Sequence, residues 1–223
     1  MIIDFNKQKN SLYLIIFYII VIILAAVSLK HQGIHIEEKF HRLNGLYWLN
    51  YIANTFNLVN LQEVTHIKIS KIYDYTLSPI EIYNKYGIVL DLPAAVLEVF
   101  FKIEKVKDVY YLKHLLSFFI FLLSSIFFFK ILIERYNNFL FSYLGLILYV
   151  TTPRIFGDSF LYKDVLFLSI FMMMIYFFLR SVEKLNYKNL LFFSFFTALS
   201  INLRIFAVII PFLFLFIIII KNF

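Results

Sequence analysis

The chain has 223 residues, of which 62% are hydrophobic and 21% aromatic, and it contains no cysteine. This composition excludes an ordinary soluble domain, and the absence of cysteine excludes disulfides and thiolate metal sites. The formal net charge of +7 does not indicate nucleic-acid binding, because the basic residues are scattered between apolar runs. The sequence therefore predicts an all-α polytopic membrane protein whose basic residues contact anionic lipid headgroups.

Six apolar stretches approach the roughly 20 residues that an α-helix needs to cross a bilayer core. The first follows Lys7 and Lys9, and its length favours an uncleaved membrane anchor over a signal peptide. The six predicted spans are 12–29, 115–132, 139–150, 165–179, 190–201 and 205–220. Only three residues separate the last two stretches, so we interpret them as a tight helical hairpin rather than one long broken helix.

The basic residues of the connections predict the orientation, since Lys and Arg of short loops stay on the cytoplasmic side. One set of connections carries Lys130, Arg135, Arg180, Lys184, Lys188 and Lys221, whereas the opposite set carries Arg154, Lys163 and Arg204. The N-terminus is therefore predicted to be cytoplasmic, and the long segment 30–113 is predicted to lie outside. This orientation places nearly every carboxylate on the outer side.

The apolar segment 86–101 could be mistaken for a further span. It is short for a span, it contains Asp91 and Glu98, and Pro93 stands where a helix would begin after an Asp91 cap. These features favour an amphipathic helix at the membrane interface.

A second amphipathic helix is predicted at 36–51. Its apolar stripe would consist of Ile36, Phe40, Leu43, Tyr47 and Tyr51, and its polar edge of Glu37, His41, Asn44 and Trp48. Carboxylate, imidazole, amide and indole groups together suit a hydroxylated substrate. The same edge is also typical of a solvated interfacial helix that Trp48 anchors, and both interpretations stay open at this point.

Histidines in the same region raise the question of a metal. His31, His35 and His41 with Glu37 and Glu38 are candidate ligands for Mg or Mn, although their spacing matches no compact zinc pattern. The sequence has no HExxH, Gly-rich phosphate loop or GxSxG motif, so metalloprotease, nucleotide-hydrolase and serine-hydrolase functions have no support.

The second outer loop, 151–164, is dense in charged residues. Arg154, Asp158, Lys163 and Asp164 are either helix caps and snorkelling cations or an anion site for a lipid-linked phosphate. Arg204 lies between two apolar runs, where a lone cation requires a partner, and a phosphate or a loop acid is the natural candidate.

The order of these features resembles the GT-C superfamily of integral-membrane glycosyltransferases, in particular its protein O-mannosyltransferase and lipid A aminoarabinose transferase branch. The matching elements are the acidic pair Glu37 and Glu38, the segment 83–87 (YNKYG), the loop 151–164 (TTPRIFGDSFLYKD) and Arg204 between the last two spans. The sequence departs from the family pattern in four ways. Glu37 replaces the usual Asp, Asn84 stands where an acid is common, the Pro of that segment is missing, and Asp158 replaces a His.

The resemblance implies that residues 1–223 form one GT-C-like module, the N-terminal portion of such an enzyme, in a bacterial inner membrane. It implies transfer of a sugar from a polyprenyl-phosphate donor to an envelope lipid, glycan or protein acceptor. Glu37, or else Glu38, would be the catalytic base, and the implied substrate-binding residues are His41, Asn44, Tyr47, Trp48, Lys85, Arg154, Asp158, Lys163, Asp164 and Arg204. The alternative functions are a noncatalytic membrane subunit and a small transporter.

Overall fold

A computed structural model describes residues 2–72, 87–161 and 164–222. This part of the chain is 86% helical and contains no strand, which confirms the predicted all-α class. Its helices are α1 (Ile2–His31), α2 (Glu38–Thr55), α3 (Val59–Ile72), α4 (Asp91–Phe100), α5 (Val106–Tyr136), α6 (Phe139–Thr151), α7 (Pro153–Asp158), α8 (Asp164–Glu183), α9 (Tyr187–Leu203), a 3-10 turn (Ile205–Val208) and α10 (Ile209–Asn222).

Asparagine residues separate consecutive helices of the apolar part. Asn137 ends α5 in the left-handed conformation, with a φ of 48°, and Asn138 begins α6 by accepting a hydrogen bond from the backbone N–H of Phe141 at 3.1 Å. Asn186 begins α9 in the same way, because its side chain accepts from the N–H of Lys188 at 3.1 Å. Short polar side chains are preferred at the ends of helices, because they pair with backbone groups that the helix leaves without a partner.

Three helices in the described residues are long and apolar enough to cross a membrane, namely 10–31 within α1, the whole of α5 and the whole of α8. The segments Phe139–Thr151 and Ile205–Lys221 are apolar but shorter. Each of the six predicted spans lies within helical structure. Together these features describe an all-α membrane protein.

The last two apolar segments form the predicted hairpin. Arg204 has extended backbone, with a φ of −146°, and it separates α9 from the 3-10 turn. The rings of Phe193 on α9 and Phe214 on α10 then pack with centroids 4.9 Å apart, and both contact Phe178 on α8. The chain therefore reverses at Arg204, and the hairpin prediction is confirmed.

The apolar helices share an aromatic core. Phe121 on α5 and Leu146 on α6 are fully buried, and Phe17 and Val21 of α1 pack against the same cluster. Tyr18 of α1 also hydrogen-bonds Ser125 of α5 at 3.0 Å. These contacts hold α1 beside α5 and α6.

The charged ends of the helices lie in two groups. At one end Arg180 of α8 donates to Glu134 of α5 at 2.5 Å, and Lys221 of α10 donates to the Val182 carbonyl at 2.6 Å. At the other end Arg204 is paired with Asp164. The predicted cytoplasmic connections and the predicted outer loops therefore lie at opposite ends of the helices.

Helices α2, α3 and α4 pack together as a separate layer. Leu43, Leu46 and Leu49 of α2 are buried against Ile69 of α3 and Ala95 of α4. Gly45 allows the close approach of α2 to α4, because a Cβ atom there would lie 2.2 Å from the Asp91 carbonyl oxygen.

Two sequence predictions for this layer are wrong in detail. The predicted helix at 36–51 begins at Glu38, so Ile36, the first residue of the predicted stripe, lies outside α2; Leu43 of that stripe is buried, whereas Tyr51 is 63% exposed. The buried face of α2 is instead set by its contacts with α3 and α4. Asp91 is the first residue of α4 rather than its cap, and its side chain bonds Asn44 of α2 and Lys113 of α5.

Candidate functional site

The start of α2 places the acidic pair. The backbone N–H of Glu38 donates to the His35 carbonyl at 3.0 Å, and the His35 N–H donates to Glu38 Oε2 at 2.9 Å, so the turn before the helix is closed at both sides. The other carboxylate oxygen of Glu38 lies 2.6 Å from Nε2 of His114 at the beginning of α5. Glu38 is buried and held in place by these contacts, whereas the neighbouring Glu37 is less buried.

A second buried carboxylate, Asp91, connects three helices. Its Oδ2 atom lies 3.1 Å from Nδ1 of His41 and accepts a hydrogen bond from Asn44 Nδ2 at 2.8 Å. Its Oδ1 atom accepts from Lys113 Nζ at 3.3 Å. Both His41 and Asn44 belong to the predicted polar edge of α2, and Asp91 is the group that they share.

A third buried carboxylate, Glu98, lies further along α4. Arg42 donates to it through Nε at 3.0 Å and through a terminal guanidinium nitrogen at 2.7 Å. Lys68 of α3 donates to the same carboxylate at 3.0 Å and to the Ile103 carbonyl at 2.7 Å. Glu38, Asp91 and Glu98 are therefore each buried with cationic or imidazole partners, as buried carboxylates require.

A cavity of about 220 Å³ opens beside Glu38, the first of these carboxylates. Its walls come from the start of α2, from α7 and from the start of α8. The lining residues are His35, Glu37, Glu38, His41, Asp158, Leu161 and Asp164. Acids from the first and second predicted outer loops thus line one cavity, although they are far apart in sequence.

Two arginines are paired with acids of the cavity wall. Arg204 donates to Asp164 at 2.6 Å. Of the two partners predicted for this cation, a phosphate and a loop acid, the structure shows the loop acid. Arg154 lies 3.7 Å from Asp158, and the Arg154 side chain is 89% exposed. Of the predicted anion-binding residues, Lys85 and Lys163 lie outside the described part of the chain.

The remaining predicted residues of α2 do not line the cavity. Asn44 is fully buried and bonds Asp91 and the Gly87 carbonyl, and Tyr47 packs in the apolar layer of α2, α3 and α4. The indole N–H of Trp48 is buried and has no hydrogen-bond partner within the described residues. The predicted polar edge is therefore divided: Glu37 and His41 line the cavity, whereas Asn44 and Trp48 are buried between helices.

Sequence reasoning missed three members of this site, namely Asp91, Lys113 and His114. Asp91 counted only as evidence against a span, although a carboxylate within an apolar segment requires a partner. Lys113 and His114 directly precede the second predicted span, and that position was the available signal. The described residues contain no group of three or more His, Asp or Glu side chains with the geometry of a metal site, so the cluster proposed from His31, His35 and His41 is not assembled.

No protein-family model, curated protein or solved structure matches this chain. The chemistry of the site therefore follows from its own residues. Carboxylates at a cavity can accept a proton from a hydroxyl group, and the paired arginines at its rim can exchange a carboxylate for a phosphate.

Proposed function

We propose that this chain is a GT-C-like membrane glycosyltransferase that moves a sugar from a polyprenyl-phosphate donor to an acceptor hydroxyl on the outer face of a bacterial inner membrane. The observation that supports the proposal best is the shared cavity. Glu37 and Glu38 of the first outer segment line it together with Asp158 and Asp164 of the second. The resemblance expects these same two segments to form the site.

The geometry favours Glu37 over Glu38 as the base. Glu38 already contacts His114 at 2.6 Å and the His35 N–H at 2.9 Å, so a proton acceptor role would disrupt the turn before α2. Glu37 lines the same cavity and is less buried. In the proposed reaction Glu37 accepts the proton of the acceptor hydroxyl while that oxygen attacks the anomeric carbon, with inversion.

The bond from the anomeric carbon to the phosphate oxygen breaks in the same step, and the polyprenyl phosphate leaves with the bonding electrons. Cationic groups near the departing phosphate would stabilise its growing negative charge. Arg204 and Arg154 supply such groups at the cavity rim, where each is now paired with a wall carboxylate. The resemblance adds Lys85 to this set.

The test is sugar transfer in isolated membranes, with a panel of polyprenyl-phosphate sugars and envelope lipids, glycans and proteins as acceptors. We expect Glu37→Gln to lower the rate by roughly 10²–10⁴-fold, because it removes the base. Glu63→Gln, an exposed acid of α3, is the matched control and should transfer at the wild-type rate. A wild-type rate in Glu37→Gln would refute this assignment, and the absence of transfer with every donor would favour a noncatalytic subunit.

A further inference from the structure

The ends of α5 and α8 that lie opposite the cavity hold two cations on one aromatic ring. Nζ of Lys130 on α5 lies 5.8 Å from the ring centroid of Tyr176 on α8, and 5.2 Å from that of Phe127. The guanidinium carbon of Arg180 on α8 lies 5.6 Å from the same Tyr176 centroid. Cations at such distances are attracted to the face of a ring, so both side chains are held beside the contact between α5 and α8.

These two cations are not balanced by the acids near them. Arg180 donates to Glu134 of α5 at 2.5 Å. Within the described part of the chain, the Lys130 ammonium has ring contacts but no carboxylate partner. The Arg180 side chain is 43% exposed and its guanidinium has five N–H groups, so donors stay accessible beside Lys130. The group of Lys130, Glu134 and Arg180 therefore carries one excess positive charge.

This group lies at a surface of the bilayer. Helices α5 and α8 are each long and apolar enough to cross a membrane, and Glu134 and Arg180 lie near their C-terminal ends. Basic groups between helices at this depth meet the phosphates of lipid headgroups. A headgroup phosphate can therefore reach Lys130 and Arg180 without entering the apolar part of the bilayer.

An aromatic surface continues from the cations towards the middle of the bilayer. The ring centroids of Phe127 and Phe177 are 5.6 Å apart, and Phe177 stacks on Phe192 and Phe196 of α9 at 4.9 and 5.6 Å. These rings connect α5, α8 and α9, and each is at least partly exposed. An acyl chain gains dispersion contacts on such a surface, whereas a free phosphate ion does not.

We propose that Lys130 and Arg180 bind the phosphate of one anionic phospholipid, whose acyl chain packs on the rings of Phe127 and Phe177. The phosphodiester of such a lipid carries one negative charge, which balances the excess positive charge of the group. Lys130 donates to one phosphate oxygen and Arg180 to another, while Glu134 keeps its contact with Arg180.

The inference is independent of the proposed function. It narrows the attraction to anionic lipids, which the composition predicts for all basic residues, to one site with named ligands. A zwitterionic lipid has the same phosphate, but the positive amine of its headgroup would leave the excess charge in place. The site should therefore select an anionic lipid.

The competing explanation is that Lys130 only extends into the headgroup region, as cations at the ends of spans generally do. The other basic residues of the same connections would then attract lipids equally, namely Arg135, Lys184, Lys188 and Lys221. Lys188 is the matched control, because it is exposed at the start of α9 and carries the same charge.

The experiment is native mass spectrometry of the full chain in detergent, titrated with phosphatidylglycerol or with phosphatidylcholine. It measures the dissociation constant of the first bound lipid. We expect wild type to bind phosphatidylglycerol more tightly than phosphatidylcholine. Lys130→Gln and Arg180→Gln should each weaken the first phosphatidylglycerol by about fivefold, which is the contribution of one cation beside a headgroup. Lys188→Gln should bind nearly as tightly as wild type.

A competition separates the lipid from its phosphate alone. Glycerol 3-phosphate has the phosphate but no acyl chain, so it should not displace phosphatidylglycerol at equal concentration. If Arg180→Gln does not fold, Lys130→Gln and its control decide the matter, because the Lys130 side chain is exposed and its replacement leaves the core intact.

Three results would overturn the inference. They are equal affinity of wild type for the two lipids, an equal loss of affinity in Lys130→Gln and Lys188→Gln, and displacement of the lipid by glycerol 3-phosphate. None of these results bears on sugar transfer, so the lipid site and the proposed enzyme are tested separately.

Discussion

Replacement of Glu98 by Gln should destabilise the layer of α2, α3 and α4 more than any exposed charge change. Glu98 accepts three hydrogen bonds from two cations, at 3.0 and 2.7 Å from Arg42 and at 3.0 Å from Lys68. The carboxylate is 1% exposed and Arg42 is 7% exposed, so water cannot replace the lost partner. Removal of one member of a buried ion pair costs about 3–5 kcal/mol.

The assay is thermal unfolding in detergent micelles, followed by circular dichroism. For a chain of this size each kcal/mol shifts the midpoint by about 2–4 °C, so we expect a decrease of roughly 6–20 °C. Glu104→Gln removes the same charge from an exposed position nearby, and it should cost no more than about 0.5 kcal/mol.

A combined variant checks the cause of the effect. Arg42→Met with Glu98→Leu removes the buried pair and should recover most of the lost stability, because Arg42 no longer lacks a partner and Lys68, which is 16% exposed, keeps its hydrogen bond to the Ile103 carbonyl. Equal midpoints for Glu98→Gln and Glu104→Gln would refute the argument that burial makes this carboxylate essential.

Two further substitutions test the packing and the surface charges. Gly45→Ala should lower stability by about 1–3 kcal/mol, because the new Cβ would lie 2.2 Å from the Asp91 carbonyl oxygen, whereas Gly33→Ala has nothing within 4 Å and serves as its control in the same unfolding assay. Arg180→Gln should cost no more than about 1 kcal/mol, since its pair with Glu134 is solvent-exposed; a loss of several kcal/mol in the same assay would contradict this estimate.

The prediction for Glu37 concerns activity rather than stability. Glu37→Gln should remove sugar transfer while expression, membrane insertion and the unfolding midpoint stay close to those of wild type, because Gln keeps the size of the side chain and the position is only partly buried. A large decrease in the midpoint of Glu37→Gln would instead indicate a structural role.

The apolar segments were predictable because their chemistry is local. A long apolar run in a membrane must satisfy its backbone hydrogen bonds internally, and the α-helix does so within one segment. The hairpin at Arg204 was predictable because Asn202 and Arg204 interrupt the apolar run, and a cation is costly inside the bilayer. The ends of these helices are set by single residues such as Asn137, which ends α5, and Asn138, which begins α6.

The layer of α2, α3 and α4 was only partly predictable. The periodicity of 36–51 identified a helix and its apolar stripe, but the helix begins at Glu38, and Leu43 of that stripe packs against α3 and α4. Amphipathic periodicity describes one buried side, whereas α2 packs against α3 and α4 on two sides. Gly45 and Ala95 contribute to that contact through their small size, which a hydrophobicity pattern does not detect.

The sequence by itself therefore determined the all-α membrane class, the apolar helices, the final hairpin and the acidic character of the segment after α1. Only the tertiary structure decided which charges meet. His41 contacts Asp91 across 50 residues of sequence, and His114 contacts Glu38 across 76. The physical reason is that backbone hydrogen bonding and membrane burial act along one segment, whereas the pairing of buried charges depends on how separate helices pack.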